Sequence, residues 1–427
     1  VRGKLDLSRL KALKRKKHTS YYIAGGTKMK LNKWTLALAA AGVVSLGSVV
    51  QAEEAQHQVM TALSSTTLSG YVDTSAIWKF GTGNSALPGR AYDGVGKLDG
   101  FNLNVVKLSV EKPLDEAQWS AGYRADLLFG PDAVTYQGTF GSGGSIGSFG
   151  DDFAIQNAYV VLRSPIGNGL DLKVGAFESP QGYESFDAGN NPNYSRSFGY
   201  VLGPKQHTGV LASYHLTDWA SIYAGVANTL IGPINGRAIV RAGGSPVSES
   251  EKTYMGGLTV TAPESFGFLK GTTLYGGIVD GLAGGAQDTT ATYVGVTIPT
   301  PFEGLSLGAA WDYRFNGPNA TTGPSNWAYA IAGYVSFQAT EKLKLNNRVD
   351  YATGSNGSFG VPARTSSEFQ TKLLSETVTL DYALWANVIS RAEFRWDHNL
   401  AADKTYGAGT GNQKNAYTLA ANIIYKF

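Results

Sequence analysis

A two-residue alternation of apolar and polar side chains recurs along the chain and constrains its fold more than any other feature. In 119–129 the odd-numbered positions are apolar, whereas Arg124 and Asp126 lie between them. The same alternation recurs in 305–315, 343–351 and 390–397. Side chains two residues apart share a face in a β-strand, so these segments are predicted to be strands of an all-β protein.

The polar faces of the predicted strands carry charged residues of both signs. We expect ten of them to line a pore, namely Arg124, Asp126, Lys173, Asp312, Arg314, Arg348, Asp350, Arg391, Glu393 and Arg395. A soluble sandwich would turn such charges to outer water, whereas a membrane barrel turns them to a wet lumen and its apolar faces to lipid. The alternation alone does not distinguish these two folds.

The lengths of the connections do distinguish them. About sixteen candidate strands emerge, each close to the length of roughly 9–11 residues that a tilted strand needs to cross a membrane. Short connections lie at 113–116, 164–169, 217–218, 299–304 and 340–341. Long connections lie at 81–100, 130–152, 179–206, 230–252, 316–327, 354–370 and 399–414. Because short periplasmic turns alternate with long outer loops in outer-membrane barrels, we predict a transmembrane antiparallel up-and-down β-barrel of about 16 strands.

The end of the chain carries the most specific local pattern. Apolar residues occupy every second position of 417–427, and the last residue is Phe427. This segment resembles the C-terminal strand signal that the outer-membrane barrel assembly machinery reads, with Tyr425 and Phe427 as its aromatic residues. We therefore expect the assembly machinery and periplasmic chaperones as partners during biogenesis.

The segment before residue 53 has the order of a secretory signal peptide. Lys30 and Lys33 precede the apolar run 34–50, and Ala52 stands directly before Glu53. A positive region, an apolar region and a small-residue cleavage site in this order are typical of secretion signals. The alternative is a transmembrane helix, for which a run of 17 residues containing Ser and Gly is marginal.

These boundaries divide the chain into four expected parts. They are translated upstream sequence outside the true protein over 1–28, a signal peptide over 29–52, a short periplasmic N-terminal tail over 53–65 and the barrel over 66–427. Residues 1–52 hold 11 of the 36 Lys and Arg but one of the 33 Asp and Glu, so the remainder has a net charge of −7. The basic leader therefore gives no support for nucleic-acid binding.

Motifs of catalysis and metal binding are absent from the sequence. The chain contains no cysteine, which excludes cysteine nucleophiles and thiolate metal sites. No H-E-x-x-H, phosphate-binding or EF-hand motif occurs, and no G-x-S-x-G stands between a predicted strand and a helix, as a nucleophile elbow would. His207 and His215 are eight residues apart on one predicted strand, too far apart to bind one ion. We therefore predict no enzyme activity, no metal and no cofactor.

Several segments resemble the putative β-barrel porin family, whose members are OmpL-like. They are Ser-Gly-Tyr-Val-Asp at 69–73, Asn-Leu-Asn at 102–104 with Lys-Pro at 112–113, Asp-Leu-Leu-Phe-Gly at 126–130, Gln-Asn-Ala-Tyr at 156–159, and a longer run from 169–175 through 182–184, 191–193, 195–197 and 208–209. The resemblance implies a pore in the outer membrane of a Gram-negative bacterium, with outer-membrane lipid and small polar solutes as partners and both termini in the periplasm. It implies no particular substrate, and a homotrimer is an expectation borrowed from general porins.

The connection after the fifth strand is the candidate for narrowing the pore. A barrel of about sixteen strands is too wide for its side chains to fill, so an aqueous channel remains unless loops enter it. Loop 179–206 carries Glu184, Asp187, Arg196 and Lys205. We expect these residues to form a constriction whose acids face wall cations across the pore and weight selectivity by charge. The alternative is that they are simply solvated in a Gly-rich loop.

Two functions other than a channel remain open from the sequence. The barrel could be a structural anchor, an adhesin or a receptor, since long Gly- and Asn-rich loops also serve recognition. An outer-membrane hydrolase is the weaker alternative, because a catalytic triad would have to assemble from distant loops. Conductance would distinguish a channel from both.

Overall fold

The computed structural model describes residues 65–427 apart from short gaps, together with the backbone of 59–60. The gaps are 84–85, 94–96, 98, 116, 137–151, 239–240, 243–244, 247–249, 284–286, 319–322, 364–368, 402–403 and 408–412. The expected upstream segment and signal peptide, and nearly all of the expected N-terminal tail, lie outside the described residues. Those three assignments stay predictions.

Sixteen antiparallel strands form the body of the molecule. In chain order they are β1 (Thr67–Phe80), β2 (Gly100–Lys112), β3 (Ser120–Phe129), β4 (Phe153–Ser164), β5 (Leu170–Glu178), β6 (Gln206–Thr217), β7 (Ala220–Ala227), β8 (Thr253–Thr261), β9 (Thr273–Ala283), β10 (Gln287–Pro299), β11 (Leu305–Asn316), β12 (Asn326–Gln338), β13 (Leu343–Gly354), β14 (Thr371–Ala383), β15 (Val388–Asn399) and β16 (Asn415–Lys426). Each strand pairs with its neighbours in the chain.

Pairing of the last strand with the first closes the sheet into a barrel. β16 runs antiparallel to β1, with Tyr425 opposite Val72. The backbone of Phe427 continues this pairing, because its N–H donates to the Gly70 carbonyl at 3.0 Å and its carbonyl accepts from the Gly70 N–H at 2.9 Å. Closure leaves no free strand edge, which is what a spanning β-structure requires in lipid. The predicted fold class and strand number are confirmed.

The connections separate two rims, as their alternation in length predicts. The long-loop rim carries 81–99, 130–152, 179–205, 228–252, 284–286, 317–325, 355–370 and 400–414. The short-turn rim carries 113–119, 165–169, 218–219, 262–272, 300–304, 339–342 and 384–387. Two connections depart from the rule, since 284–286 is short on the long-loop rim and 262–272 is long on the other.

Short elements complete the described structure. Val59–Met60 pairs with β1, and Arg241–Ala242 pairs with Ser245–Pro246. Turns of 3₁₀ helix lie at Pro131–Tyr136, Ala188–Asn190, Gly199–Val201, Glu264–Leu269 and Ser358–Gly360. Within the described residues, no helix has the length and apolar character needed to cross a membrane, a finding that does not bear on strands.

The two faces of the barrel have opposite character. On β12, Ile331, Val335 and Phe337 are between 41% and 49% exposed, whereas the alternate residues Tyr334 and Ser336 are buried. Since exposed apolar side chains of this kind recur on most strands, the outward face is an apolar surface of the kind that membrane-spanning barrels present. The polar residues of each strand therefore point into the lumen.

Apolar packing inside the barrel involves the loops that enter it. Phe198 of connection 179–205 packs with Leu373 and Ala352 of the wall. Phe186 of the same connection packs with Leu128 and Val105. The interior therefore contains small apolar cores that fix a loop, rather than one continuous core beneath the sheet.

Candidate functional site

The connection 179–205 folds into the lumen, and we call it the inserted loop. Its interior side chains, including Asn193, Arg196 and Phe198, are almost completely buried. Arg196 Nε donates to the Ser185 carbonyl at 3.0 Å, and the Asn191 side chain both donates to that carbonyl and accepts from the Ser185 N–H. A loop away from bulk water must satisfy its backbone polar groups internally, and these side chains do so.

Arg348 of β13 is the main anchor between the wall and the inserted loop. Its Nη1 donates to Glu184 Oε1 at 2.9 Å and to the Ser195 carbonyl at 2.7 Å. Its Nε donates to Asp350 on the same strand at 3.0 Å. The Arg348 side chain has no solvent exposure, so this guanidinium is buried with both of its carboxylate partners.

Two further arginines of β15 hold the backbone of the inserted loop. Arg391 donates from Nη1 to the Ala188 carbonyl at 2.7 Å and from Nη2 to the Asn191 carbonyl at 3.0 Å. Arg395 donates from Nη1 to the Arg196 carbonyl at 2.6 Å. Their spacing of four residues puts both side chains on the lumen face of one strand, where Arg391 contacts the loop at 188 and 191 and Arg395 contacts it at 196.

Wall carboxylates bind the N–H groups of the same loop. Glu393 accepts from the backbone N–H of Tyr194 at 2.6 Å and of Ser195 at 3.0 Å. Asp350 accepts from the N–H of Phe198 at 3.0 Å. Hydrogen bonds from backbone amides to ionised carboxylates are among the stronger ones in proteins. The loop is therefore held through both its carbonyl and its amide groups.

The inserted loop also contacts the wall on the side of β1 and β2. Lys107 Nζ lies 2.9 Å from Asp187 Oδ2 and 3.6 Å from Asp126 Oδ2. The Tyr71 hydroxyl donates to Asp187 Oδ1 at 2.9 Å. Asp187 thus fixes the loop to the strands that adjoin the closure of the barrel.

These contacts differ from the arrangement expected from the sequence. Glu184 and Asp187 were expected to face wall cations across the pore, but Glu184 touches Arg348 directly and Asp187 touches Lys107 directly. The reason is that the loop reaches the wall on both sides. Removal of one partner from a buried ion pair generally costs about 3–5 kcal/mol, so such contacts strongly favour the inserted position.

The other predicted lining residues also point inward, with different partners. Arg124 Nε lies 2.9 Å from Asp126 Oδ2. The Lys173 ammonium lies 4.5 Å from the centre of the Tyr159 ring and has no carboxylate within ion-pair distance among the described residues. Arg314 donates to the Asn316 side chain at 3.0 Å in a cavity of about 380 Å³ at the long-loop rim.

A cavity of about 300 Å³ separates the inserted loop from β9, β10 and β11, and we call it the side cavity. Tyr183 and Lys205 border it from the loop, and Tyr275, Tyr293 and Asp312 border it from the wall. It is one of the openings beside the inserted loop, since Val201 and Leu202 of the loop also border the cavity of about 380 Å³ at the long-loop rim.

Lys205 and Asp312 bring opposite charges to the side cavity without forming an ion pair. The Lys205 ammonium donates to the Tyr200 carbonyl and lies 3.4 Å from the centre of the Tyr200 ring. Burial lowers the pKa of Lys205 to about 7, although the charge of nearby Asp312 opposes this shift. Asp312 has no ion-pair partner within the described part of the chain.

Glycines on the lumen face let tyrosine rings lie flat against this part of the wall. A Cβ atom on Gly308 would overlap the Tyr183 hydroxyl, and one on Gly295 would overlap the Tyr293 hydroxyl. The Tyr183 ring is also stacked on Tyr334 at a centroid distance of 4.3 Å. Larger residues at the glycine positions would push the rings into the side cavity.

Comparison with protein families identifies the chain. The family model described as "Putative beta-barrel porin-2, OmpL-like" matches residues 65–427. The chain belongs to this family. The family is one of porins, which agrees with a channel of the outer membrane and not with an enzyme. The comparison with curated protein sequences finds no match.

Solved outer-membrane proteins share the fold of this porin. The anion-selective porin from Comamonas acidovorans superposes with a TM-score of 0.54 at 13% identity, covering 85% of this chain and 99% of the other. The outer membrane channel DcaP of Acinetobacter baumannii gives 0.53 at 13% identity, covering 85% and 97%. Outer-membrane expressed OmpT of Vibrio cholerae gives 0.52 at 12% identity, covering 86% and 100%.

Sequence reasoning missed several residues of this porin that hold the lumen together. Arg90 of connection 81–99 donates from Nε to Asp397 at 2.8 Å, and Asp397 also accepts from Arg395. Lys107 alternates with apolar residues on β2, so the period-two pattern could have found it. The same pattern cannot separate an inward tyrosine from an outward one, which is why Tyr293 was missed.

Metal binding finds no support in the described part of the porin. No group of three or more His, Asp or Glu side chains there is placed to hold a metal ion. His207 is buried, and its Nδ1 lies 3.3 Å from the Thr229 carbonyl. His215 lies on the same strand, eight residues further along.

Proposed function

We propose that this porin forms a water-filled channel for the passive diffusion of small polar solutes or ions. The observation that carries the proposal is the side cavity, which lies beside a fixed loop and is bordered by charges that are not paired with each other. Clefts bordered by uncompensated charge in low-dielectric walls attract or repel solutes according to sign.

The inserted loop supports this proposal because it would define the narrowest part of the channel. Its residues Glu184 and Asp187 act as anchors, while Arg196 holds the loop to itself. Of the four residues predicted for the constriction, Lys205 is the one we propose to meet the solute directly. The wall charges that were predicted to line the pore differ in the same way. Asp312 and Lys173 form no ion pair with any described residue and would face the solute, whereas Arg348 is bound to the inserted loop.

We also propose the orientation and assembly of the channel. The short-turn rim would face the periplasm together with both termini, since strand assembly leaves the shorter connections on that side. The exposed apolar belt would contact outer-membrane lipid, and Tyr425 and Phe427 would present the signal that the assembly machinery reads. A homotrimer is the proposed oligomer, as for other porins.

Planar-bilayer conductance tests the proposed function. Protein purified from outer membranes should give discrete current steps, and reversal potentials in a salt gradient should report the sign of the charge in the passage. Protein unfolded by heating in detergent is the control and should give none. Folded, heat-modifiable protein without conductance would contradict the proposal.

One observation favours a second candidate, a closed barrel that serves as an anchor, an adhesin or a receptor. Connection 81–99 also enters the lumen, where Arg90 contacts Asp397 and donates to Thr418 at 2.8 Å. If connection 81–99 and the inserted loop moved closer to each other, they would leave little room in the lumen for a solute. We propose no hydrolase function, since no observation on the described residues favours one.

A further inference from the structure

We propose that the side cavity is a binding site for small zwitterionic solutes that carry an apolar ring, with the solute carboxylate at Lys205 and the solute ammonium at Asp312. This inference rests on the proposed channel function and names the class of solute that the channel retains. Four features of the side cavity support it: an available cation, available carboxylates, a separation between them, and aromatic surface.

The available cation is Lys205 of the inserted loop. Its ammonium has three N–H donors, and the Tyr200 carbonyl accepts one of them. No carboxylate lies within ion-pair distance in the described part of the chain, although Asp312 is close enough to affect its charge. The remaining donors are therefore free to bind a carboxylate in the side cavity.

The available carboxylates are Asp312 of β11 and Glu178 at the end of β5. Asp312 forms no ion pair with any described residue. Glu178 accepts from the Tyr136 hydroxyl at 2.8 Å and from the Asn157 amide at 3.4 Å but also has no cation within ion-pair distance. An unpaired carboxylate in a confined site gains stability from an ammonium group that enters it.

The separation between Lys205 and Asp312 is fixed by the loop and the wall. Gly199 of the inserted loop lies against the Asp312 carboxylate, so closely that a Cβ atom there would overlap it. The hydrogen bonds from Phe198 to Asp350 and from Arg348 to Ser195 hold this part of the loop in place. The Lys205 ammonium and the Asp312 carboxylate are therefore held apart. A solute with one positive and one negative group can bridge them.

Aromatic surface borders the space between the charges. Tyr183 and Tyr275 are half-buried and border the side cavity, so part of each ring is open to a solute. Aromatic rings pair with apolar or aromatic groups through stacked or edge contacts worth about 0.5–1.5 kcal/mol beyond area burial. The volume of about 300 Å³ suits one small molecule rather than an oligomer.

Charge also argues against solutes with one charge. A simple anion that reaches Lys205 would meet the repulsion of Asp312 and Glu178, and a simple amine at Asp312 would meet that of Lys205. Like-charge contacts in a desolvated site are unfavourable. A zwitterion avoids both penalties, so it should bind more tightly than either half of itself.

Current block in planar bilayers tests this inference with three matched probes. They are L-phenylalanine, its anionic analogue 3-phenylpropanoate and its cationic analogue 2-phenylethylamine. We expect phenylalanine to half-block the current of the full porin at a concentration at least about tenfold lower than either analogue. Asp312→Asn should remove the preference over the anion, and Lys205→Met should remove the preference over the amine.

Lys344→Met is the matched control, since Lys344 is another lumen lysine but lies at the short-turn rim, away from the side cavity. It should leave the tenfold preference intact. Equal block by the three probes in a conducting channel would overturn the inference and leave the channel function standing. A preference that survives in both cavity variants, or that Lys344→Met also removes, would overturn the assignment to this cavity. Absence of any current would contradict the channel itself.

Discussion

Two sides of the same lumen use charged residues in opposite ways. On the anchored side, β13 and β15 present Arg348, Arg391 and Arg395, which are buried against the inserted loop. On the open side, β9, β10 and β11 present tyrosines, glycines and the unpaired Asp312. On both sides, the two-residue alternation turns charged side chains toward the lumen. Where the inserted loop covers the wall, these side chains anchor the loop; where it does not, they can meet a solute.

The largest expected effect comes from removing the main anchor. Arg348→Ala leaves Glu184 and Asp350 buried without their cation, which should cost about 3–5 kcal/mol of unfolding free energy. The loop should then leave the anchored side, so single-channel conductance should rise. Urea titration of the barrel and bilayer recording measure the two effects.

Arg163→Ala is the matched control for that variant. Arg163 pairs with Asp171 at 2.7 Å, but both side chains are partly exposed near the short-turn rim. An exposed pair is worth at most about 1 kcal/mol. Equal destabilisation by the two variants would break the distinction between the sides.

A second prediction concerns the glycines of the open side. Gly308→Ala places a methyl group where the Tyr183 hydroxyl lies, so the ring must move toward the side cavity. Overpacking of this kind costs about 1–3 kcal/mol. Conductance should fall, as measured by single-channel recording.

Gly333→Ala is the control on the neighbouring strand, because a Cβ atom at Gly333 would meet no other atom within 4 Å. It should change neither stability nor conductance. If both alanine variants conduct like the parent porin, Tyr183 does not border the passage.

A third prediction is that the charge of Asp312 affects the ion selectivity of the channel but not the stability of the barrel. Asp312→Asn removes a charge that anchors nothing, so unfolding free energy should change by less than about 0.5 kcal/mol. The reversal potential in a salt gradient should shift toward anions. A loss of stability as large as that of Arg348→Ala would show that Asp312 is structural.

The smallest expected effect is a dependence of selectivity on pH. Burial holds the pKa of Lys205 near 7, with Asp312, Glu184 and Glu178 favouring its charged form and Arg196 opposing it. Lys205 is protonated below that pKa and neutral above it, so the passage should become more cation-selective between pH 6 and pH 8. Lys205→Met should reduce the shift, and reversal potentials measure it. A shift of undiminished size in Lys205→Met would assign the titration elsewhere.

The sequence could predict the barrel because its pattern is local. Period two decides which residues of each strand point inward, so Arg314 and Arg348 were both placed on lumen faces. The pattern could not predict that Arg348 binds Glu184, a residue 164 positions away in the chain, whereas Arg314 donates to Asn316 on its own strand. Which lumen charges are covered depends on where a loop folds, and that is decided by long-range contacts.

The same limit explains the residues of the side cavity. Asp312 was predicted to line the pore and Lys205 to lie in the constriction, but nothing local indicates that they share one cavity without pairing. The positions of the tyrosines in the side cavity depend on rings that lie over glycines, as Tyr183 lies over Gly308. Such packing has no signature in hydrophobic periodicity.

The measurement that tests the central claim most directly uses the absence of cysteine from the chain. Thr297→Cys places a thiol in the side cavity, and Ser375→Cys places one on the fully buried anchored side. A charged methanethiosulfonate reagent added during bilayer recording should rapidly reduce the current of Thr297→Cys and leave that of Ser375→Cys unchanged. Rapid modification of Ser375→Cys with an inert Thr297→Cys would contradict the account, because solutes would then pass on the side where the loop is anchored.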